Sequence, residues 1–402
     1  MKFDIWSFEK KPLPEILSFI VDNRGKTVPT TENGHILIAT NCIKNENLYP
    51  SYEKIRYLSE ETYQNWFRAH PKPGDILFVC KGTPGRVCMV PDPIDFCIAQ
   101  DMVALRANEA IVYNKYLLAV LRSARIQKQI EQTSVGDVIP HFKKSFFNQL
   151  LIPIPPMQIQ RIIGDYYFVF SEKVEINNKI NDNLEQQAQA IYHERFETVS
   201  PNDLPYDWRI VTLGEVVTIS NKSFNPLKEP EILLEHYSIP AFDEARFPVF
   251  ELSTSIKSNK FIIDASCFMI TKLNPTTKRV WKPYCLTEDA VCSTEFIVYK
   301  AKDKSITDFL YSVIDSGSFS DFMCSHVTGS TGSRQRTTPA ETLSYKLILP
   351  SENELAEFQS LVSPMYAQMR INAIENDKLK RLRDSLLPKL VSGELDVSAV
   401  EL

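Results

Sequence analysis

The side chains best suited to chemistry in this sequence are lysines and arginines gathered in turn-rich segments. Between Lys257 and Lys282, six basic residues stand against the single acid Asp264, which gives a local net charge of +5. Such a patch on a chain whose net charge is −5 is typical of contacts with nucleic-acid phosphates. A solvated surface is the simpler alternative, and the sequence leaves it open.

A second segment, residues 328–338, combines small flexible residues with Arg334, Gln335 and Arg336. Arginine can bind guanine through two hydrogen bonds, and glutamine can bind adenine in the same way, while Ser, Thr and backbone N–H groups suit phosphates. Residues 133–144 are the counterpart of this segment in the first half of the chain. The pattern predicts a loop in each half that contacts DNA.

Two further basic loops lie in the first half, at residues 24–27 and 81–86. An ordinary turn with surface charge explains either one alone, but the recurrence of basic loops in both halves favours a role in binding. The residues that we expect to contact DNA are Arg24, Lys26, Lys81, Arg86, His141, Lys143, Lys144, Lys272, Lys278, Arg279, Lys282, Arg334, Gln335 and Arg336.

The sequence lacks the motifs that common catalytic sites require. It has no GxxxxGK[ST] or GxGxxG to hold a nucleotide, no HExxH to hold a metal and no GxSxG to present a nucleophilic serine. An amino-methyltransferase needs an Asn/Asp-Pro-Pro-aromatic motif, and residues 225–227 and 274–276 both lack its second proline and its ring. We therefore expect no catalytic residues, no metal ligands and no cofactor on this chain.

Composition and length limit the remaining possibilities. A chain of 402 residues is too long for one ordinary core, so two or more domains are expected. Its eight cysteines form no CxxC pair, which predicts reduced and mostly buried thiols. No apolar run reaches the roughly 18 residues of a membrane span, and the start lacks a signal-peptide pattern. We expect a cytoplasmic protein.

The clearest internal repeat lies in two helical stretches, residues 176–184 and 371–379. Five positions are identical at a constant offset of 195, among them Asn177 with Asn372. A Pro-bounded apolar segment precedes each stretch, and each half begins with a matching tryptophan. These correspondences predict a tandem duplication in the order module, helix, module, helix.

Apolar residues recur at helical spacing in both helices and form one narrow stripe on each. Such a stripe requires a partner helix, so we expect the two copies to pair as an antiparallel coiled coil. The repeated asparagines would fix the register if they lay on the seam, and exposure to solvent is the equal alternative. The residues expected on the seam are Ile176, Ile180, Leu184 and Ile191 of the first helix, and Leu379, Leu382, Leu386 and Leu390 of the second.

The fold class expected is α+β, with each mixed module followed by a long helix. Ser351 is predicted to cap the second helix and Gly393 to end it, with a kink or an earlier end at Pro388. The expected segments are residues 1–152 and 200–349 for the two modules, and 153–199 and 350–402 for the two helices.

Several short sequence motifs follow one another in a characteristic order. Residues 204–208 read LPYDW and are followed by LGEV at residues 213–216, while residues 22–29 read DNRGKTVP. The segments PGDIL at 73–77 and DSLLPKL at 384–390 complete the pattern. Over essentially its whole length, the chain resembles the specificity subunit of type I restriction-modification systems.

The resemblance implies two target-recognition domains that each read half of a bipartite site in double-stranded DNA, with the helix pair setting the spacing. It also implies partners, namely two modification subunits that bind S-adenosylmethionine and methylate adenine, and restriction subunits that use ATP and Mg²⁺ and cut DNA. The chain itself would be non-catalytic. The alternative is a coiled-coil scaffold whose duplicated modules bind proteins rather than DNA.

Overall fold

The computed structural model describes residues 4–23, 25, 27–136, 138–229, 231–328 and 335–395. The chain divides into two compact units, of which unit 1 comprises Met1–Asn177 and Glu375–Leu402, and unit 2 comprises Asn178–Ile374. Each unit therefore combines one module with part of both long helices, whereas the sequence suggested four consecutive segments.

Helices connect and flank the strands of both modules. They are α1 (Glu60–Asn65), α2 (Asn114–Leu121), α3 (Ala124–Thr133), α4 (Met157–Tyr192), α5 (Leu213–Val216), α6 (Ile239–Ala245), α7 (Thr307–Asp315), α8 (Gly317–Ser325), α9 (Pro339–Thr342) and α10 (Glu352–Ser392). No helix in the described part of the chain is both long and apolar enough to cross a membrane.

The ends of α10 show which local signals determine its length. The Ser351 hydroxyl accepts a hydrogen bond from the Glu354 amide at 3.3 Å, which confirms the predicted N-cap. Gly393 follows the helix with φ +72°, as expected for the residue that ends it. The prediction for Pro388 was wrong in part, because the helix continues to Ser392. The side chains of the flanking Leu387, Leu390 and Val391 are buried in the unit 1 core, and their packing outweighs the hydrogen bond that proline removes.

Unit 1 is built on three small sheets. Its strands are β1 (Lys10–Pro12), β2 (Leu17–Val21), β3 (His35–Ile38), β4 (Arg56–Leu58), β5 (Ile76–Val79), β6 (Val87–Met89), β7 (Phe96–Ile98), β8 (Met102–Ala107) and β9 (Leu151–Pro153). The sheets have the orders β2-β8-β5-β6, β4-β3-β7 and β1-β9, and only the β3–β7 pairing is parallel among these strands.

Alternation along β5 explains how this module buries two cores. Ile76 and Phe78 face the cluster that contains α2 and α3, whereas Leu77 and Val79 face the cluster that contains β3 and β7. Because successive side chains of a strand point to opposite faces, an apolar run of this kind is suited to a sheet covered on both sides.

Unit 2 repeats this architecture with a larger second sheet. Its strands are β10 (Arg209–Thr212), β11 (Val217–Ser220), β12 (Ser223–Phe224), β13 (Leu233–Tyr237), β14 (Val249–Leu252), β15 (Lys260–Ile262), β16 (Cys267–Thr271), β17 (Val280–Trp281), β18 (Ala290–Ser293), β19 (Phe296–Ala301), β20 (Val327–Thr328), β21 (Arg336–Thr337) and β22 (Lys346–Leu349). The sheet β11-β19-β16-β17 corresponds to β2-β8-β5-β6, and β10-β22 corresponds to β1-β9. The predicted tandem α+β duplication is confirmed.

The two long helices pair antiparallel within each unit. In unit 1, Asn177 donates to the side-chain oxygen of Asn376 at 2.9 Å, and Arg383 donates to the Ser171 hydroxyl at 3.4 Å. Residue numbers therefore rise along α4 as they fall along α10. In unit 2, Asn372 donates to Asn181 at 2.8 Å.

The rings of Phe196, which follows α4, and Phe358 of α10 also lie 5.2 Å apart in unit 2. The repeated asparagines thus lie between the helices, which decides between the two alternatives left open by the sequence.

The residues predicted for the seam lie partly on a different face of the helices from the one that forms the interface. Ile176, Ile180 and Leu382 are 46%, 41% and 48% exposed, so these three assignments were wrong. Hydrogen-bonded asparagine pairs occupy the interface that the apolar stripe was expected to fill, and the stripe is displaced to its flank. Leu390 is buried in the unit 1 core, and the remaining seam candidates are half-buried, namely Leu184, Ile191, Leu379 and Leu386. The eight cysteines are free thiols and six are buried, which confirms their prediction.

Candidate nucleic-acid interface

In unit 1, a turn and a hairpin are joined into one surface at the end of β5. The turn follows β5 at residues 80–86, and the hairpin follows α3 and is closed by reciprocal backbone hydrogen bonds between Val135 and His141 of 3.0 and 2.8 Å. The Gly82 amide donates to the Pro140 carbonyl at 3.0 Å, and the Phe142 amide donates to the Cys80 carbonyl at 2.7 Å. These bonds hold two sequence-distant basic segments side by side.

Unit 2 contains the same assembly. The turn after β16 receives the hairpin β20–β21, because the Asn274 amide donates to the Gln335 carbonyl at 2.9 Å and the Thr337 amide donates to the Lys272 carbonyl at 3.1 Å. Arg336 pairs with Leu273 in the place where His141 pairs with Lys81 in unit 1. The predicted correspondence of residues 133–144 with residues 328–338 therefore holds in three dimensions for the described residues.

Buried side chains anchor each hairpin to its module. Phe142 is buried and its ring lies 5.7 Å from the rings of both Phe78 and Phe147. In unit 2 the equivalent Thr337 is buried, and its hydroxyl donates to the Met323 carbonyl at 2.8 Å. Because each anchor is buried in its module, the neighbouring side chains of the hairpin are held on a fixed backbone.

The cations of unit 1 remain largely open to solvent. Lys81, Lys143 and Lys144 are exposed and Arg86 is half-buried. Lys144 lies 3.3 Å from the Asp22 carboxylate, whereas no ion pair joins Lys81 or Lys143 to a carboxylate among the described residues. The structure brings Lys81 and His141 together through their backbone bridge. Open lysines on a fixed support can neutralise phosphates.

Asn23 fixes the chain beside another basic residue that the sequence search missed. This buried side chain donates to the carbonyls of Ala69 at 2.8 Å and Ile98 at 3.2 Å, and it accepts from the Arg68 amide at 2.9 Å. The exposed Arg68 is therefore held near Asp22 and Lys144. No local pattern marks Arg68 as a DNA-contact candidate, because it follows a short helix and does not lie in a glycine-rich basic loop.

The excess of positive charge in unit 2 is smaller than the sequence indicated, because half of the six cations between Lys257 and Lys282 are paired with acids. Acids that lie far away in the sequence pair with three of its cations. Arg279 forms two hydrogen bonds with Asp243 of 2.5 and 2.8 Å. Lys282 pairs with Asp308 and lies 5.7 Å from the centre of the Tyr366 ring. These contacts hold α6, α7 and α10 against the module, so they are structural.

Lys278 is the third paired cation, and its partner is a buried acid. Its ammonium group lies 2.9 Å from a carboxylate oxygen of Asp315, whose side chain is 1% exposed, and 2.8 Å from the Asp315 carbonyl. Gln189 of α4 donates to the same carboxylate at 2.8 Å. Burial raises the pKa of Asp315 to about 6, although Lys278 acts to lower it.

The raised pKa of Asp315 predicts a pH dependence of stability. Folded unit 2 holds a proton there between about pH 4 and pH 6 that the unfolded chain has released, so its free energy of unfolding falls as pH rises through this range. We expect Asp315→Asn to remove a fall of about 3 kcal/mol, measured by urea unfolding between about pH 4 and pH 8. Lys278→Met should move the fall to higher pH, and an unchanged pH profile in both variants would contradict this assignment.

Arg336 is positioned by an acid in the neighbouring turn. It donates two hydrogen bonds of 3.0 Å to the carboxylate of Glu295, which raise the pKa of the guanidinium group. Its side chain is still 42% exposed. Gln335 contributes its backbone carbonyl to the hairpin contact. Lys272 is half-buried. Among the expected DNA contacts, Arg24, Lys26 and Arg334 lie outside the described residues.

Two aliphatic residues at the unit 1 hairpin were also missed. Val138 and Ile139 project between Gly136 and Pro140, and both are exposed. Read from the sequence, a pair of β-branched residues predicts a buried strand, so no signal marked them as surface residues. No cluster of His, Cys, Asp and Glu able to hold a metal ion occurs among the described residues.

Comparisons with known proteins show what this chain is similar to. Residues 7–186 match the family model described as type I restriction modification DNA specificity domain. The type I restriction enzyme MjaIX specificity subunit of Methanocaldococcus jannaschii is 24% identical over an alignment of 366 residues that covers 82% of this chain and 79% of that protein. The HindI specificity subunit of Haemophilus influenzae is 21% identical, covering 81% of this chain and 87% of that protein.

A solved structure shares the fold. It is the type I restriction-modification system S subunit from M. genitalium, with a TM-score of 0.57, 16% sequence identity and coverage of 96% of both chains. At this sequence identity the similarity concerns the fold alone. It extends over both halves of the present chain.

Proposed function

We propose that the chain is a DNA specificity protein of the type I restriction-modification family, and that each of its modules reads one half of a bipartite DNA site. The observation that supports this division most directly is the turn-and-hairpin assembly, which occurs once in each unit with the same backbone hydrogen bonds. Because the same backbone arrangement occurs in both units, each unit has a corresponding surface with which to read DNA.

The side chains on these two surfaces differ, which supports different target sequences for the two halves. Unit 1 presents Lys81 and His141 at the bridged positions, where unit 2 presents Leu273 and Arg336. A cation that donates to guanine, an imidazole and an aliphatic group select different base edges. The recognised site is therefore asymmetric under this proposal.

The partners proposed for the chain are two modification subunits that carry S-adenosylmethionine and methylate adenine, and restriction subunits that use ATP and Mg²⁺. The chain itself contributes recognition and no catalytic group. Apolar residues exposed on the long helices, namely Ile176 and Leu382 in unit 1 and Ile180 in unit 2, are available for contacts with the modification subunits. Burying such side chains in a complex is favourable, whereas their exposure to water is not.

Reconstitution tests the proposal. The chain mixed with its modification subunits is expected to methylate DNA at one bipartite sequence, while the chain alone and the modification subunits alone leave DNA unmethylated. Replacing residues 1–152 by another module of the family should change one half of that sequence and preserve the other half, as read by methylation-sensitive sequencing. Methylation that does not need the chain, or a swap that alters both halves, would refute it. Assembly with protein partners but without DNA affinity would favour a protein-binding scaffold.

A further inference from the structure

An exposed aliphatic pair lies at the tip of the unit 1 hairpin. Val138 is 92% exposed and Ile139 is 54% exposed, and the neighbouring Val135 is 41% exposed. β-Branched side chains have few rotamers, so a contact made by this pair costs little conformational entropy. Adjacent apolar side chains that are exposed on a surface loop gain free energy when a partner covers them, which suits them to a binding contact.

The tip is held in one conformation by its surroundings. Gly136 has φ +104°, and a side chain there would lie 2.7 Å from the Ile139 carbonyl oxygen, so only glycine permits the backbone to approach so closely. The hairpin is closed between Val135 and His141 and is hydrogen-bonded to the turn at Gly82. Val138 and Ile139 are therefore presented to a partner before it binds.

The charges around the patch indicate what kind of partner fits. Lys81 lies on the turn to which the hairpin is bonded, and the exposed Lys143 and Lys144 follow the hairpin in the chain. Asp22 pairs with Lys144, and Asp101 is joined to Lys81 through backbone atoms. Lysines thus flank the pair on the bonded turn and in the following chain, against one acid of the tip sequence, Asp137, which suits a ligand that is anionic at its edges and partly apolar within. In a DNA major groove the thymine C5 methyl is the apolar group among the base edges.

We infer that Val138 and Ile139 contact the C5 methyl groups of thymine within the half-site read by unit 1. This inference rests on the proposed function and adds the chemistry of one of its contacts. The lysines bind the flanking phosphates and fix the register of the hairpin in the groove, and the aliphatic pair then distinguishes A·T pairs from G·C pairs.

Duplexes in which deoxyuridine replaces thymidine test this contact, because they lack only the methyl group. We expect the complex of the chain with its modification subunits to bind about fourfold more weakly when one contacted thymine in the unit 1 half-site is replaced. The variant Val138→Ser/Ile139→Ser has no methyl group at either position, so it should bind the thymidine duplex more weakly by a similar factor and should no longer distinguish the two duplexes. Val135→Ser is the matched control, because Val135 lies where the hairpin is closed rather than at its tip, and it should retain the distinction.

Several results would overturn the inference. These are equal binding of all deoxyuridine duplexes by the native complex, a variant that still distinguishes the duplexes, or a unit 1 half-site without an A·T pair. Unchanged binding of the unit 2 half-site and unchanged circular dichroism will establish that the variant is folded. Methylation of the intact site by the native complex is measured in parallel, so that failure of the proposed function is recognised separately.

Discussion

Replacing Lys81 and Lys143 together by glutamine is expected to weaken binding of the reconstituted complex to its target DNA about tenfold to a hundredfold at physiological salt. Both lysines are exposed, and they lie on the hydrogen-bonded turn and hairpin of unit 1. Each phosphate contact contributes about 0.9 to the slope of log affinity against log salt concentration, so the slope should decrease in magnitude by about 2.

The matched control for this variant is Lys10→Gln/Lys72→Gln, which removes the same charge from two other exposed positions of unit 1. Lys72 precedes β5 and Lys81 follows it, so the two lysines lie near opposite ends of one strand. Fluorescence anisotropy over a series of salt concentrations measures both variants. If the two double variants change the salt slope equally, binding depends on the overall charge and the proposed surface is misplaced.

The paired cations of unit 2 contribute differently. Arg279, Lys282 and Lys278 are each held by a carboxylate of the same unit, so they are less available to phosphates. Breaking such a pair leaves a partly buried acid without its cation, which costs stability. Their substitution therefore acts mainly on the folding of unit 2. Arg336 combines both roles, since Glu295 orients it while a large part of its side chain remains exposed.

Much of the fold could be predicted because its signals are local. Helical spacing, the capping serine at position 351 and the repeat at an offset of 195 all lie within short segments of sequence. The duplicated modules, the two long helices and their antiparallel pairing follow from these signals. The equivalence of the two hairpins could be predicted in the same way, because each lies at the same place in its repeat.

The rest depends on contacts between distant residues. Asp243, Asp308 and Asp315 neutralise cations that a count of charges over residues 257–282 treats as free. The buried face of α4 is likewise set by partners on α10 and in the modules. A search for apolar periodicity therefore selected Ile176 and missed the seam beside it. The exposure of Val138 depends on how the hairpin is anchored, which no local pattern reports.

Asn177→Ala is expected to lower the free energy of opening of the helix pair in unit 1 by about 1 to 3 kcal/mol. The Asn177 side chain is 1% exposed and donates to Asn376 at 2.9 Å and to Glu375 at 2.8 Å. Alanine removes both bonds and leaves space in a buried interface. Hydrogen–deuterium exchange of residues 171–177 measures the change. Asn183→Ala is the control, because Asn183 is exposed and its hydrogen bond is to Gln187 of the same helix.

The double variant Asn177→Leu/Asn376→Leu separates stability from specificity at this interface. Two leucines bury apolar surface where the asparagine pair now lies, so the free energy of opening should recover to the native value or exceed it. A leucine seam fits several registers and several partners, whereas a buried asparagine pair favours the one register in which its side chains bond to each other. We therefore expect self-association of the variant in analytical ultracentrifugation. A double variant that is less stable than Asn177→Ala, or that associates no more than the native chain, would show that the asparagines do not set the pairing.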